Sequence, residues 1–159
     1  MPLRPPIPVQ PLALPPVHAR PSLLIADDDP VVRAVLSAQL EPDFRLVGPA
    51  SDADEAIMLA GEHQPDAALI DVDMPGGGAP RAVPRILAGS PSTRLVVLSG
   101  DERPEVLDDL YEAGAVGFIQ KGFTGFEIAQ TLMAALHGAP ALTCPGTLRT
   151  DRLVAAAAL

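Results

Sequence analysis

Apolar and polar positions alternate in blocks along this chain. From residue 22 the apolar run SLLIA is followed by PVVRAVLSAQL, then FRLVGP, DADEAIMLAGEH and DAALID. Short continuous apolar runs read as strands buried on both faces, and segments whose apolar residues recur every three or four positions read as amphipathic helices. The alternation continues with a short helix near residues 81–88, a strand RLVVLS at 94–99, a helix at about 104–113, a strand VGFIQ at 116–120 and a helix at 125–137. Five strand–helix units in this order predict an α/β fold. Its sheet is parallel and doubly wound, because right-handed crossovers carry the helices to both faces.

Local chemistry marks the helix ends. Asp29 precedes Pro30 as an N-cap before a proline at the first helical position, and Asp52 with Glu55 and Thr124 with Glu127 have the spacing of capping boxes. Gly114 and Gly138 are placed to end helices. Residues 1–21 contain eight prolines, too many for helix or a central strand, and are expected to be a disordered or polyproline-like leader. The expected domain is then 22–138. In the tail at 139–159, TLRTDRLVAAAAL could form a short helix on its Ala and Leu content.

Composition narrows the function. A chain of 159 residues, 48% hydrophobic, supplies one sizeable core, and a second folded domain is not expected within it. A formal net charge of −9 without a Lys/Arg cluster disfavours direct nucleic-acid binding. Cys144 is the one cysteine, and Cys and His residues show no zinc-site spacing. No apolar run approaches membrane-span length, and the proline content rules out a helical signal-peptide core, so a cytoplasmic protein is expected. Ten of the eleven basic residues are arginine, leaving Lys121 as the one lysine.

In an open α/β sheet, ligands bind outside the carboxyl ends of the strands. Asp27, Asp28 and Asp29 follow the first strand, Asp71 and Asp73 the third, Ser99 ends the fourth and Lys121 follows the fifth. Carboxylates of Asp27, Asp28 and Asp71 about 5 Å apart, at an effective dielectric near 20, would repel by roughly 3 kcal/mol per pair. Such a cluster demands a cation, and its oxygen-only donors suit Mg²⁺. A carboxylate beside that ion can act as a nucleophile toward a phosphoryl group, with a hydroxyl and an ammonium holding the other oxygens. Asp71, Ser99 and Lys121 fit these three roles, whereas Asp29 is read as a helix cap only.

LLIADDDPVVR, ALIDVDMP, VVLSG and GAVGFIQKG, in that order, resemble the receiver domain of bacterial two-component response regulators over about residues 22–138. The resemblance implies a flavodoxin-like, chemotaxis-regulator-like five-stranded sheet of order 2-1-3-4-5. It implies phosphorylation of Asp71, an acidic pair at Asp27 and Asp28, an Asp73 backbone carbonyl that completes a Mg²⁺ shell, and phosphoryl contacts from Ser99 and Lys121. Phe118 matches an aromatic switch position, although spacing alone equally fits a core residue. The implied partners are a histidine kinase or phosphotransfer protein as donor, and a downstream protein or second copy bound through the fourth helix, fifth strand and fifth helix (the 4-5-5 face). Such a domain is a phosphorylated acceptor rather than a turnover enzyme.

Three departures from the family pattern are visible. Gly122 replaces a frequent proline, so the cis bond common there is not implied. GGG at 76–78 replaces an acidic-glycine turn and predicts a flexible loop ordered by Mg²⁺ or phosphorylation. Asp73 and Asp101 occupy positions that affect water access to the acyl phosphate in this family.

On the 4-5-5 face, Val106, Leu110, Tyr111, Ile128, Leu132 and Leu136 form a stripe expected to be mostly core, which makes Arg103 and Asp109 better surface candidates. Two other functions stay open. Asp71-Val-Asp73 also resembles the nucleophile and acid/base pair of haloacid-dehalogenase-like phosphatases, although two strand–helix units precede it here. A receiver-like module that binds through its surface without phosphorylation is the other. The segment after residue 138 is expected to be too short for a helix-turn-helix output domain.

Overall fold

The computed structural model describes residues 19–100 and 103–139, and the backbone of 141–143. In chain order the elements are β1 (Ser22–Ala26), α1 (Pro30–Leu40), β2 (Arg45–Leu46), α2 (Ala53–His63), β3 (Ala67–Asp71), α3 (Gly78–Gly89), β4 (Arg94–Ser99), α4 (Pro104–Glu112), β5 (Gly117–Gln120), α5 (Gly125–Leu136) and β6 (Ala141–Thr143). All strand pairs are parallel, in the order β2-β1-β3-β4-β5-β6. The order expected for five strands is therefore present, and a three-residue β6 joins the β5 edge of the sheet. Beyond the fifth helix the chain turns back beside β5, pairing Gly117 with Ala141 and Ile119 with Thr143. The sheet thus extends into the segment read as a tail. The proposed leader at 1–18 and the short helix expected near the chain end lie outside the described residues.

Alternation of side chains along each strand divides the core into two layers. Leu24, Ala26, Ala68, Ile70, Leu95, Val97 and Phe118 pack against α2, α3 and α4. Leu23, Ile25, Leu69, Val96, Leu98 and Ile119 pack against α1 and α5. Because both faces are covered, β1 and β3 are buried along their whole length, which explains why their sequences are apolar runs rather than alternating ones. At the opposite edge from the carboxyl ends, Ser22 and Asp66 stitch β1 to β3 reciprocally: Ser22 N and Oγ donate to Asp66 Oδ2 (2.8 and 2.9 Å), and Asp66 N donates to Ser22 Oγ (2.9 Å).

The expected caps form with one change. Asp29 accepts from the amides of Val31 and Val32 ahead of Pro30, and Thr124 with Glu127 closes a full capping box. Asp52 accepts from the Glu55 amide, but the Glu55 carboxylate turns to Ser51 N and Oγ (2.8 and 2.9 Å), one residue earlier than a capping box requires. β2 has two residues, and Pro49 just beyond it has no amide to donate; pairing resumes at the Ala26–Ala50 bridge.

α3 is longer than expected. Its twelve residues start at Gly78, ahead of the helix expected near 81–88; Pro80 is accommodated because it lies in the first turn, whose amides have no intrahelical partner anyway, and Pro84 lies inside the helix. The glycine run before it is contacted by neighbouring groups. Gly76, Gly77 and Gly78 all have positive φ (79°, 97° and 59°). Arg81 Nη1 donates to Gly76 O (2.8 Å) while its Nη2 reaches Asp54 Oδ1 (2.7 Å), and Pro75 O accepts from the Ala53 amide (3.0 Å). The loop after β3 is therefore fastened to the start of α2 by the protein's own groups.

Gly78 has no room for a side chain. A Cβ there would meet Val72 O at 2.1 Å, at a φ that L residues avoid. Gly78→Ala is expected to lower folding stability by at least about 2 kcal/mol, read as a lower urea midpoint. Gly61→Ala, on an exposed helical position with open space, is expected to be neutral or slightly stabilising in the same assay.

Candidate functional site

Strand register assembles the site. Ala26 pairs with Ile70, Asp71 with Leu98 and Ser99 with Gln120, so Asp27, Asp71, Ser99 and Lys121 end neighbouring strands at one edge of the sheet. Asp27, Asp71 and Ser99 are buried, whereas Asp28 at the mouth is exposed. Burial follows from position. Asp71 and Ser99 are the last residues of strands covered by helices on both faces and Asp27 directly follows such a strand, while solvent first reaches Asp28, Asp73 and Gly100 on the loops beyond.

Lys121 is the counter-charge. Its Nζ lies 3.0 Å from Asp27 Oδ2 and 3.2 Å from Asp71 Oδ1, a bridge between the two buried carboxylates. Asp27 is oriented from its other oxygen, Oδ1, which accepts from the Asp29 amide (2.9 Å). Oδ2 is buried without an aligned hydrogen-bond donor, so its contact with Lys121 is an ion pair of imperfect geometry. Burial, reinforced by the Asp27 charge, raises the Asp71 carboxyl above its ordinary 3.8, and Lys121 and the Asp73 amide oppose this only in part. Burial alone would lower Lys121, but the attraction of Asp27 and Asp71 outweighs it and leaves the ammonium above its usual value.

One ammonium for three carboxylates leaves negative charge uncompensated. Asp27, Asp28 and Asp71 each offer an oxygen, and these lie within 4.8 Å of one another. The buried Oδ2 of Asp27 without a donor, and a donor set composed only of oxygen, fit a hard divalent cation. The cluster can therefore hold a metal ion.

Around this centre the residues separate. The Asp73 side chain points away from it and is held by Arg103, whose Nη2 lies 2.6 Å from both carboxylate oxygens. Arg103, expected as a surface contact residue, is thus engaged across the loop mouth. Asp29 caps α1, as expected. Phe118 is fully buried in the layer shared with α3 and α4. Gly122, immediately after Lys121, has φ of 110°, a value closed to proline, which accounts for the missing proline there. Asp101 lies outside the described residues.

Residues 23–133 match the family described as the response regulator receiver domain. The chain belongs to the response regulator receiver family. This receiver is similar to the transcriptional regulatory protein LiaR of Bacillus subtilis, with 34% identity over 122 residues that cover 76% of this chain and 58% of LiaR. It is similar in structure to the signal receiver domain of the putative response regulator NarL from Mycobacterium tuberculosis, with 27% identity, TM-score 0.72, and coverage of 76% of this chain and 98% of that domain. It also resembles a two-component response regulator of the LuxR family from Aurantimonas sp. SI85-9A1, with 26% identity, TM-score 0.73, and coverage of 88% and 96%. The receiver chain spans a little over half the length of the curated relatives it matches. None of its described helices is long and apolar enough to cross a membrane.

Two contacts of this receiver site were missed by sequence reasoning: the reach of Arg33 back to the carbonyls of Asp27 and Asp28, and the Asp73–Arg103 pair. Arg33 lies within the motif LLIADDDPVVR, but nothing in its spacing announces that it folds back on the loop.

The raised carboxyl of Asp71 has a testable sign. A folded-state value above the unfolded one stabilises the fold at low pH, and that contribution is lost as pH rises through the folded value. Asp71→Asn is therefore expected to melt at a higher temperature than wild type at neutral pH in chelator. The gap should widen from pH near 4 upward and then level off, as followed by thermal denaturation across pH.

Proposed function

We propose that this receiver accepts a phosphoryl group on Asp71 from a histidine kinase or phosphotransfer protein, with Mg²⁺ at Asp27, Asp28 and Asp71, and signals through its 4-5-5 face. The observation that carries the reading is the Lys121 ammonium bridging buried Asp27 and Asp71 beside the exposed Asp28. The Asp73 backbone carbonyl would supply a further protein oxygen to such an ion. A bound Mg²⁺ neutralises negative charge as the phosphoryl oxygens approach the carboxylates.

The chain's own groups account for the rest. An oxygen of Asp71 attacks phosphorus, the bond from phosphorus to the donor breaks, and the donor leaves with that electron pair. Lys121 exchanges its hold on Asp71 for a phosphoryl oxygen, and the Ser99 hydroxyl donates to another. Burial of Asp71 limits water at the acyl phosphate, which the domain holds as a signal rather than turning over.

Movement of Ser99 toward the phosphoryl group alters packing next to Phe118, which shares its layer with Leu107 and Leu110 of α4. Half-buried Val106 and Tyr111 and exposed Asp109 then present a changed α4 surface to a downstream protein or a second copy. On the α5 side, Ile128 and Leu132 are core residues and do not serve as contacts. An acidic surface favours a protein partner over direct contact with nucleic acid, and a cytoplasmic setting suits a kinase donor.

Intact mass after incubation with acetyl phosphate tests the reading. Wild type with Mg²⁺ should gain one phosphoryl group, whereas wild type in chelator and Asp71→Asn should gain none. Lys121→Arg should form the adduct at least about tenfold more slowly, because a planar fork replaces a compact charge. An adduct that persists in Asp71→Asn would move the acceptor elsewhere, and steady release of phosphate from simple monoesters would favour the phosphatase chemistry.

A further inference from the structure

Lys121 meets the acidic cluster through its carboxylates, but a second cation reaches the same loop from the other side. Arg33, in the first turns of α1, folds back beneath the loop that precedes its own helix. Its Nη1 donates to the carbonyl oxygen of Asp27 (2.7 Å) and to that of Asp28 (3.0 Å). These are the backbones of the two residues whose side chains face the cation position. Three consecutive acids, Asp27, Asp28 and Asp29, repel one another, and a short loop carrying them opens unless it is held. Asp29 is committed to the α1 amides and its own amide fixes Asp27 Oδ1. With the Asp27 carbonyl fixed as well, the direction of Oδ2 is set. For Asp28, whose side chain is exposed, the contact through its carbonyl is the anchor.

We infer that Arg33 is a positioning residue for the cation site: it holds the Asp27 and Asp28 carbonyls so that both carboxylates stay free and aimed at the ion. The inference rests on the cation reading proposed above. It has an unusual sign. By charge alone, a guanidinium beside a divalent cation repels it, so removing Arg33 would tighten binding. If Arg33 acts by positioning, removing it weakens binding in spite of the charge it takes away. Loss of groups that orient metal ligands typically costs ten- to a hundredfold in affinity.

The test is titration calorimetry with Mg²⁺ on the full chain, with thermal denaturation in chelator alongside, for wild type, Arg33→Met, Arg33→Gln and Arg33→Lys. Arg33→Met, which keeps an apolar stem and no donor, should bind Mg²⁺ about tenfold more weakly. Arg33→Gln, which keeps an amide donor without the charge, should recover part of that loss. Tighter binding by both Met and Gln variants would mean that Arg33 acts only as a repelling charge and would overturn the inference. A lower melting temperature in chelator with unchanged Mg²⁺ affinity would assign Arg33 to fold stability and overturn it equally. If Arg33→Met does not fold, the Gln and Lys variants decide: Arg33→Lys, which keeps a charged donor, should bind Mg²⁺ more tightly than Arg33→Gln, and Arg33→Gln binding as tightly as wild type or more tightly would contradict the role. Absence of Mg²⁺ binding in wild type would remove the cation reading itself, a result distinct from binding that is intact in wild type and indifferent to Arg33.

Discussion

Asp27 and Asp71 are taken out of water at adjacent strand ends with one ammonium, Lys121, between them. The rest of the site follows from that shortage of positive charge. Asp71 is held above the ordinary carboxyl range by burial and by its neighbour, and Asp28 adds a third carboxylate at the mouth. At the two buried places, well-packed apolar residues are expected to be at least as stable. The acids are tolerated because the sheet on which they sit is rigid and covered on both faces, so the energy that burial of the two core layers provides offsets the local repulsion.

The loops that carry these acids are not left to the ligand. Arg33 grips the loop after β1 by two carbonyls. On the loop after β3, Arg81 holds Gly76 O, Arg103 holds the Asp73 carboxylate, and the Gly78 backbone packs where no Cβ fits. Each of these contacts lies outside the carboxylates of the cluster. Exposed ion pairs such as Asp54–Arg81 and Asp73–Arg103 contribute little to global stability, yet they restrict where the loop can go. The site is preorganised from outside, which keeps its carboxylate oxygens available.

Much of this was readable from residue order. Strand ends in a parallel sheet converge by geometry, so Asp27, Asp71, Ser99 and Lys121 could be placed together from four short motifs; five strand–helix repeats pointed to a parallel, doubly wound sheet, and its strand order came from the family resemblance those motifs carry. Three things were not readable. β2 holds two residues of its apolar run, which Pro49, with no amide to donate, interrupts. β6 carries only three residues, Ala141–Thr143, flanked by Pro140 and Pro145, and gains its strand conformation from the open edge of β5. The arginine contacts depend on side-chain reach across loops, and a long flexible side chain has no periodic signature. Glycine permits the positive φ of the GGG run, and the contacts of Arg81 and the Pro75–Ala53 bond with that loop were likewise not visible in the sequence.

The central claim is that the buried carboxylate at the end of β3 is the one that reacts. It is tested most directly by treating the protein with acetyl phosphate and Mg²⁺, reducing with borohydride, and locating the product by tandem mass spectrometry. An acyl phosphate is reduced to the corresponding alcohol, so the account predicts homoserine at position 71 and at no other aspartate. Homoserine at Asp27, Asp28 or Asp73 with Asp71 unchanged would contradict it.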